Sequence, residues 1–325
     1  MQARDERKRK RILAAVRISV AAVAVFAVAL CNALRPFKTM LPGYALPARQ
    51  EGEMRLHFVD VGQGDCTIVE FPEGDLLIVD GGNGGWKNEN NLFRYVKSLN
   101  PASVSVLATH ADYDHIGGLA EFLEYFGADK VYLPVVEGQT SSYFAFAEAA
   151  KRSGAELQTL TRYDVIAKES GAYAVCLSPY SMGETDENDS STVLYVSYSG
   201  VNAALCGDIS AEREEKLVRE SGLDETLFDS GEYRVRLGEM DILKVAHHGS
   251  AYSSSADWLT LLSPETAIVS CGKGNYYSHP AGETVERLAQ IGAEIYRTDE
   301  LGNLIVSISN GKYVVSSLKD GGKVL

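Results

Sequence analysis

The chain has 325 residues, 45% of them hydrophobic, and a formal net charge of −13. It is long enough for one large α/β domain with a sizeable core. Residues 1–17 are basic, so the remainder holds 24 basic and 42 acidic residues, a net charge of −18. A body this acidic repels phosphate backbones at long range, which excludes nucleic-acid binding through overall charge alone; bound cations or a local basic patch would have to reverse the field.

The N-terminal segment predicts a membrane anchor. Residues 1–11 form a basic tail, and residues 12–34 are largely apolar, with Arg17 as their only charged residue. This stretch is long enough to cross a hydrocarbon core about 30 Å thick. The basic flank predicts a single-pass protein with a cytoplasmic N-terminus and an extracellular body. The alternative is a cleaved signal peptide and a secreted protein, although the uncharged run from Ile18 to Leu34 exceeds a usual signal-peptide core.

Residues 35–53 contain three of the nine prolines and no apolar period, which predicts a linker. None of the five cysteines forms a C-x-x-C pair, and four of them lie in apolar runs typical of small buried side chains. One or two disulfides remain possible on spacing alone.

Short apolar runs broken by Gly, Pro and Asp begin at residue 54 and predict strands. They are "MRLHFVDV", "CTIVEF", "DLLIVDGG", "VSVLATH", "KVYLPVV", "STVLYVSYSG", "VNAALCGDIS", "DILKVAHHGS", "TAIVSC", "AEIYRT", "LIVSIS" and "KYVVSSL". Helical spacing is found in "NENNLFRYVKSL", "GGLAEFLEYFG" and "SYFAFAEAAKRSG", and near 210–221, 255–262 and 281–291. Two β-rich halves that each carry helices predict two sheets packed face to face with helices outside, in one domain over 54–318. Residues 222–240 do not fit this pattern and are interpreted as an additional segment before the strand "DILKV".

One loop holds four groups able to bind metal or transfer protons. His110, Asp112, Asp114 and His115 follow the apolar run Val104–Ala108 within six positions. Donors this dense on a tight loop can direct several lone pairs at one point, which favours a metal site. An Asp-rich turn with a histidine cap is the structural alternative. The glycine pair that follows would let an anionic ligand approach a helix N-terminus.

Two further strand ends carry ligand-type side chains. Asp208 follows "LCG", and His247 and His248 follow "LKVA". Side chains at the same ends of neighbouring strands converge on one edge of a sheet. A carboxylate such as Asp208 can bridge two cations about 3.5–4 Å apart, a separation suited to activating water. Taken alone, Asp208 is also typical of a turn, and His247 is also typical of a buried histidine in the core. Together with the histidines and aspartates of the 110–115 loop, they predict a metal site.

These stretches resemble the metallo-β-lactamase superfamily, and in particular the extracellular metallo-β-lactamase domain of ComEC-type competence (DNA-uptake) proteins. The matching stretches are "LHFVDVGQGDCTIV", "LLIVDGG", "THADYDHIGG", "NDSSTVLYVSYSG", "LCGDIS", "DILKVAHHGSAYSSS", "VSCGKGNYYSHP" and "YRTDELGNLIVSI". The resemblance implies an α/β fold, the metallo-β-lactamase αββα sandwich, preceded here by one N-terminal transmembrane helix. It also implies hydrolysis of phosphodiesters, with degradation of one DNA strand during uptake. Those proteins have a many-helix channel, whereas this sequence shows one anchor.

The resemblance implies a set of metal ligands in which Asp208 bridges. The set is His110, Asp112, Asp114, His115, Asp208 and His247. His248 is the alternative to its neighbour as the last histidine. The metal-binding histidine that the superfamily has between the loop and Asp208 has no counterpart here, and "NDSS" lies at its place. Either Asn188 or Asp189 supplies an oxygen ligand there, or that position supplies no ligand. Asp80 would brace the loop through hydrogen bonds, and Asp60 and Asp65 are expected to have structural roles.

The set holds as many aspartates as histidines, and more carboxylate with less imidazole shifts the preference from zinc toward manganese, magnesium or iron. The prediction is two divalent ions, Mn²⁺ or Zn²⁺. Activated water would attack phosphorus. Asp114 could accept a proton as well as bind metal, and His279 could donate one to the leaving oxygen or be merely structural. Ser250 and Ser253 could bind phosphate oxygens or cap the next helix.

The sequence therefore predicts a membrane-anchored, metal-dependent phosphodiesterase or nuclease that acts on DNA outside the cell. One alternative is a hydrolase of small phosphodiesters, envelope polymers, or ester and lactam substrates, because one fold hosts many chemistries. Another is a surface binding protein without activity. No pattern of interleaved arginine and aromatic residues marks a nucleic-acid groove, and the sequence identifies no protein partner.

Overall fold

The computed structural model describes residues 43–168, 170–222, 225–319 and 323–324. The predicted basic tail, residues 1–11, and the predicted anchor, residues 12–34, lie outside these described residues. A search of the described part of the chain finds no helix with the length and apolar character needed to cross a membrane.

The described strands form two large sheets and a separate hairpin. In spatial order, the nine-stranded sheet contains β18 (Lys323–Val324), β17 (Lys312–Lys319), β16 (Asn303–Ser309), β1 (Met54–Phe58), β2 (Thr67–Glu70), β3 (Leu76–Val79), β4 (Val104–Leu107), β5 (Lys130–Tyr132) and β6 (Glu156–Gln158). The seven-stranded sheet contains β15 (Glu294–Arg297), β14 (Thr266–Val269), β13 (Ile242–Lys244), β10 (Val201–Leu205), β9 (Val193–Tyr198), β8 (Tyr173–Ser178) and β7 (Val165–Ala167). The additional segment at 222–240 contributes the hairpin of β11 (Thr226–Asp229) and β12 (Arg234–Arg236).

Helices connect the strands. They are α1 (Trp86–Leu99), α2 (Tyr113–Ile116), α3 (Leu119–Tyr125), α4 (Ser141–Ser153), α5 (Ala211–Glu220), α6 (Ala256–Leu262), α7 (Gly282–Gln290) and α8 (Thr298–Leu301), with 3₁₀ turns at Leu237–Glu239 and Ala246–Gly249. The helices predicted near 210–221, 255–262 and 281–291 are confirmed to within a residue or two. The HADYDH loop differs from expectation, because α2 lies inside it. The helix α3 that follows is the one predicted in "GGLAEFLEYFG".

The core has the layers that the sequence predicts. One buried cluster joins the inner faces of the two sheets and includes Phe58 from β1 and Ile268 from β14. The outer face of the nine-stranded sheet is covered by helices that contribute Tyr95, and that of the seven-stranded sheet by helices that contribute Trp258. Strands buried on both faces explain the nearly continuous apolar runs of the sequence. The αββα arrangement is therefore confirmed.

Parallel strand pairs set the position of the polar loops. In one sheet β3 and β4 are parallel, and Val79 lies opposite Leu107. In the other sheet β10 and β13 are parallel, and Leu205 lies opposite Lys244. The segments that follow paired parallel strands leave a sheet at the same edge. Asp80, the HADYDH loop, Asp208 and the pair His247–His248 each follow one of these four strands.

Residues 43–53, the described part of the predicted linker, contain no helix or strand. They pack on the body of the protein nonetheless. The rings of Tyr44 and Tyr95 have centroids 5.5 Å apart, and Arg55 Nη1 donates a hydrogen bond to the Pro47 carbonyl over 2.9 Å. This segment is therefore part of the folded unit that Gly43–Leu325 form.

The buried strands account for most of the stability, so core truncation should be costly. Ile78 in β3 is fully buried, whereas Val314 in β17 is 67% exposed. We expect Ile78→Ala to lower the free energy of unfolding by about 2–5 kcal/mol, because it leaves a cavity. Val314→Ala should change it by less than about 0.5 kcal/mol. Urea denaturation followed by circular dichroism measures both, and equal losses would contradict the assigned layers.

Candidate metal centre

Side chains from separate segments meet at the edge shared by the two sheets. Within each of four overlapping groups, one ligand-type atom per residue lies within 4.8 Å of the others. The groups are His110–His115–Asp208, Asp114–His115–His248, Asp65–Asp208–His248 and Asp65–Asp80–His115. All these residues are buried except Asp114, which is half-buried. The convergence of the loop after β4 with the segments after β10 and β13 is what the sequence predicted.

Asp208 occupies the middle of this arrangement. Its Oδ1 lies 3.2 Å from His115 Nε2, and its Oδ2 lies 3.5 Å from His248 Nε2. A ligand-type oxygen of Asp208 also lies within 4.8 Å of one nitrogen of His110, so the carboxylate borders both His110 and His248. His248 Nε2 also lies 3.2 Å from Asp114 Oδ2, so Asp114 closes the second group from the solvent side.

Several buried polar atoms in these groups have no hydrogen-bond partner. They are His110 Nε2, His115 Nε2, His248 Nε2, Asp208 Oδ1 and Asp65 Oδ1. Buried polar atoms in folded proteins are nearly always paired, so each of these atoms calls for a missing partner. Imidazole nitrogens and carboxylate oxygens that converge without hydrogen bonds form the donor set of a divalent cation. The residues present therefore fit a metal site.

The electrostatics also call for a cation. Burial lowers the pKa of His248, but Asp208 and Asp65 outweigh burial and raise that pKa to about 10. The pKa of His115 is likewise raised well above its ordinary value by Asp208 and Asp80, against burial. The carboxylates thus hold protons on two buried histidines when no other positive charge is present. Divalent ions would replace those protons, because only the deprotonated nitrogen binds metal.

Asp80 braces the loop as the sequence predicted. It accepts hydrogen bonds from Thr109 N and Thr109 Oγ1, both over 2.8 Å, and lies 2.7 Å from His115 Nδ1. A carboxylate on Nδ1 fixes the orientation of the ring and leaves Nε2 free to bind metal. Asp80 itself has a φ of 62°, an uncommon conformation for a residue other than glycine.

Asp65 and Lys244 form a buried ion pair behind the groups. Lys244 Nζ contacts Asp65 Oδ2 and donates to the Gly207 carbonyl over 3.3 Å. Burial acts to raise the pKa of Asp65, but the charge of Lys244 lowers it overall. Asp65 is itself a member of two of the four groups, although the sequence predicted only a structural role for it. Asp60 has the expected structural role, since its Oδ1 accepts from Gly62 N over 3.1 Å.

The turn after β13 distinguishes the two adjacent histidines. His248 is buried, and its Nδ1 donates to the Ser270 carbonyl over 3.0 Å. Because a carbonyl only accepts, the neutral ring carries its proton on Nδ1 and its lone pair on Nε2. The side chain of His247 is 30% exposed, and its Nε2 lies 3.6 Å from Asp208 Oδ2. Of the two, His248 belongs to the described groups, and His247 lies beside them.

Asp112 lies at the solvent side of the loop, with 44% of its side chain exposed. Its Oδ2 is 3.6 Å from His110 Nε2. Glu187, which the sequence gave no reason to select, lies beside it: burial and then the charge of Asp112 raise the pKa of Glu187. The segment before β9 therefore adds a carboxyl group to this side of the centre.

The "NDSS" segment contributes differently from expectation. Asp189 lies outside the four groups, and its Oδ1 accepts from Ser210 N over 2.9 Å at the start of α5. The Asn188 carbonyl accepts from Ser191 N over 2.9 Å. Ser191 Oγ lies 3.3 Å from His110 Nδ1 and accepts from Asp208 N over 3.2 Å. The hydroxyl that orients His110 is thus two or three residues beyond the predicted oxygen ligands.

His279 lies next to the histidine pair. Its ring centroid is 5.7 Å from that of His247 and 6.2 Å from that of His248. Burial, then the charges of His248 and His247, lower the pKa of His279. The hydroxyls of the predicted phosphate-binding serines are engaged in hydrogen bonds to the backbone. Ser253 Oγ donates to the Ile209 carbonyl over 2.7 Å, and Ser250 Oγ accepts from Tyr252 N over 3.3 Å.

The fold and the donor set define a class of protein, and comparison with known families agrees. Residues 59–273, well over half of the chain, match the family model described as the metallo-beta-lactamase superfamily. The chain belongs to this superfamily. Together with the His/Asp groups, this supports a metal-dependent hydrolase.

Similarity to curated proteins indicates a narrower group within the superfamily. ComE operon protein 3 of Bacillus subtilis is 28% identical over 274 residues, covering 78% of this chain and 33% of the relative. Competence protein ComA of Neisseria gonorrhoeae is 28% identical over 286 residues, covering 86% and 36%. The chain thus spans about a third of the length of these curated relatives. The predicted resemblance to ComEC-type competence proteins is confirmed.

A solved structure shares the fold. CmlA, a diiron β-hydroxylase from Streptomyces venezuelae, superposes with a TM-score of 0.50 at 13% identity, over 77% of this chain and 53% of that one. At this sequence identity the match shows a shared fold and carries no information on function.

We expect His248 to contribute more to metal binding than His247. Asn tolerates the positive φ that both residues adopt, so His247→Asn and His248→Asn form a matched pair. His248→Asn should weaken divalent-metal binding by at least about 10- to 100-fold, and His247→Asn by much less. Equilibrium dialysis with elemental analysis measures both. A larger loss in His247→Asn would reverse the assignment.

Gly64 allows the metal loop to approach the β1–β2 connection. A Cβ on Gly64 would lie 2.3 Å from the Asp114 carbonyl, whereas a Cβ on Gly200 would meet nothing within 4 Å. Both glycines have positive φ, so Gly200→Ala controls for backbone strain. We expect Gly64→Ala to displace Asp114 and weaken metal binding about tenfold or more. Gly200→Ala should lose stability only. Isothermal titration with Mn²⁺ compares the two, and equal affinities would contradict the proposed role of Gly64.

Proposed function

We propose that the protein is a metal-dependent phosphodiesterase that hydrolyses DNA outside the cell, anchored to the membrane by residues 12–34. The observation that carries the proposal is the position of Asp208. One of its oxygens lies within 4.8 Å of a ligand-type nitrogen of His110, and its Oδ2 lies 3.5 Å from His248 Nε2. A carboxylate in this position can be shared by two cations, and a pair of cations is the usual device for phosphodiester hydrolysis.

The first proposed cation position is bounded by His110, Asp112 and Asp208. The support is the unpaired His110 Nε2 and its distance of 3.6 Å from Asp112 Oδ2. The second position is bounded by Asp114, His115 and His248, again with Asp208. Its support is the convergence of Asp114 Oδ2 and Asp208 Oδ2 on His248 Nε2, at 3.2 Å and 3.5 Å. In this assignment His248 takes the place that the sequence comparison gave to His247.

The proposed ions are manganese or zinc. Four of the six proposed ligands are histidine or buried carboxylate and the other two are partly exposed carboxylates, a mixture that suits either metal. Divalent ions at these positions supply Lewis-acid polarisation of a phosphoryl oxygen and make water a nucleophile near neutral pH.

The protein's own side chains then have defined tasks. Asp114 is the proposed acceptor of the proton from the attacking water, since it is the ligand-type carboxylate on the open side of the second group. His279 is the proposed donor to the leaving oxygen, since its ring borders the rings of His247 and His248. Asp80 and Ser191 hold the ligand rings in place through their hydrogen bonds to His115 and His110.

DNA is the proposed substrate because of the relatives, and bound metal explains how an acidic chain could bind it. The relatives are named as competence and recombination proteins. The body of the chain is also too acidic to attract a polyanion unless cations are bound, and two divalent ions would supply positive charge at the point of cleavage. Binding and hydrolysis of DNA should therefore both require metal.

A substrate panel tests this function. The metal-loaded protein should cleave single-stranded DNA and bis(p-nitrophenyl) phosphate and leave nitrocefin intact. Asp208→Asn should lower both rates by at least about 100-fold, since it removes one negative charge from the shared ligand. Asp257→Asn, at an exposed acid of α6, is the matched control and should keep full activity. Hydrolysis of nitrocefin alone would favour a lactam or ester hydrolase. Equal rates in the wild type and Asp208→Asn would favour a binding protein.

A further inference from the structure

Two adjacent tyrosines project into solvent close to the metal centre. Tyr276 is 97% exposed and Tyr277 is 65% exposed. They lie in the loop between β14 and α7, which also carries His279. Exposure of two neighbouring large aromatic rings is unusual for a folded surface, and aromatic residues of this kind are characteristic of binding sites.

The loop that carries the tyrosines is held in one shape. Asn275 Nδ2 donates to the carbonyls of Gly272, over 2.9 Å, and His279, over 2.6 Å. Asn275 Oδ1 accepts from His279 N over 2.9 Å. This side chain closes the loop at its base. The rings are therefore presented on a fixed support, and little ordering is needed when a ligand binds.

The exposed rings are continuous with the metal centre. The ring of Tyr277 lies nearly parallel to that of His279, with centroids 5.6 Å apart and an angle of 25°. His279 in turn lies at 29° to His248, with centroids 6.2 Å apart. Tyr276 contacts Tyr277 edge-on, at 6.1 Å and 84°. A row of flat groups thus leads from a proposed metal ligand to a tyrosine with both faces open to solvent.

The net charge of the chain limits how a polynucleotide could bind to this row of rings. With a net charge of −13, the surface as a whole opposes a phosphate backbone. Affinity for a polynucleotide must then come from the metal ions and from contacts to the bases. Stacking on aromatic rings is the main sequence-tolerant contact of that kind, and it is available only to bases that are not paired in a duplex.

We propose that Tyr276, supported edge-on by Tyr277, is a stacking site for an unpaired nucleobase of the strand whose phosphate is cleaved. This inference rests on the proposed phosphodiesterase function and adds a substrate preference to it. The metal centre acts on the phosphate, and the tyrosines select a strand whose bases are free. Duplex DNA offers no free base face along its length, so the site favours single strands.

The test compares two short phosphorothioate strands of equal length and charge, one of thymidines and one of abasic deoxyribose. Fluorescence anisotropy with the metal-loaded full chain measures binding of each strand. The wild type should bind the thymidine strand about five- to hundredfold more tightly than the abasic strand. Tyr276→Ala should abolish most of that preference, and Tyr276→Phe should retain it because the ring remains.

Tyr233→Ala is the matched control. Tyr233 packs on Tyr173 at the beginning of β8, the end of the seven-stranded sheet opposite to Asp208. This variant should keep the wild-type preference. Equal binding of the two strands by the wild type, or an unchanged preference in Tyr276→Ala, would overturn the stacking site.

The same proteins separate this inference from the proposed function. If unmodified DNA is cleaved but the base preference is absent, the stacking site is wrong and the nuclease function stands. If the preference is present and lost in Tyr276→Ala, but no DNA is cleaved, the stacking site stands and the nuclease function is wrong. Failure of the wild type to bind either strand overturns both.

Discussion

Unbalanced negative charge buried at the shared edge of the two sheets is the constraint on which the rest depends. Asp65, Asp80 and Asp208 are all buried there, and Lys244 is the buried lysine that contacts one of them. Buried carboxylates persist in proteins when they are paired or bind metal. The Nε2 atoms of His115 and His248, which face Asp208, have no hydrogen-bond partner among the described residues. The edge is therefore organised around positive charge that metal ions would supply.

The scaffold fixes each proposed ligand from behind. Asp80 orients His115, the Ser270 carbonyl orients His248, and Ser191 links His110 to the backbone of Asp208. These supports come from different strands of both sheets, so the sandwich must be complete before the ligand atoms can converge. Such pre-organisation lets a site bind cations without a large cost in conformational entropy.

Much of this could be predicted from sequence because the relevant signals are local. Apolar runs located the strands, and the rule that parallel strand ends share an edge brought Asp208 to the HADYDH loop. The choice between His247 and His248 was not accessible, since it depends on a turn in which both residues have positive φ. Lys244 was hidden inside an apolar strand. Ser191 was missed because its role depends on a contact 81 residues away in the chain. The short strands β6 and β7 have three residues each and lie at sheet edges, where the periodic pattern is weak.

The proposed chemistry reconciles an acidic protein with an acidic substrate, since positive charge appears only where ions bind and base contacts supply the remaining affinity. Anomalous X-ray diffraction at the manganese and zinc absorption edges, from crystals of the metal-loaded protein, tests this most directly. The account predicts two peaks, one beside His110 and one beside His248, with Asp208 between them. The absence of any peak at this edge, or ions bound only elsewhere on the molecule, would contradict it.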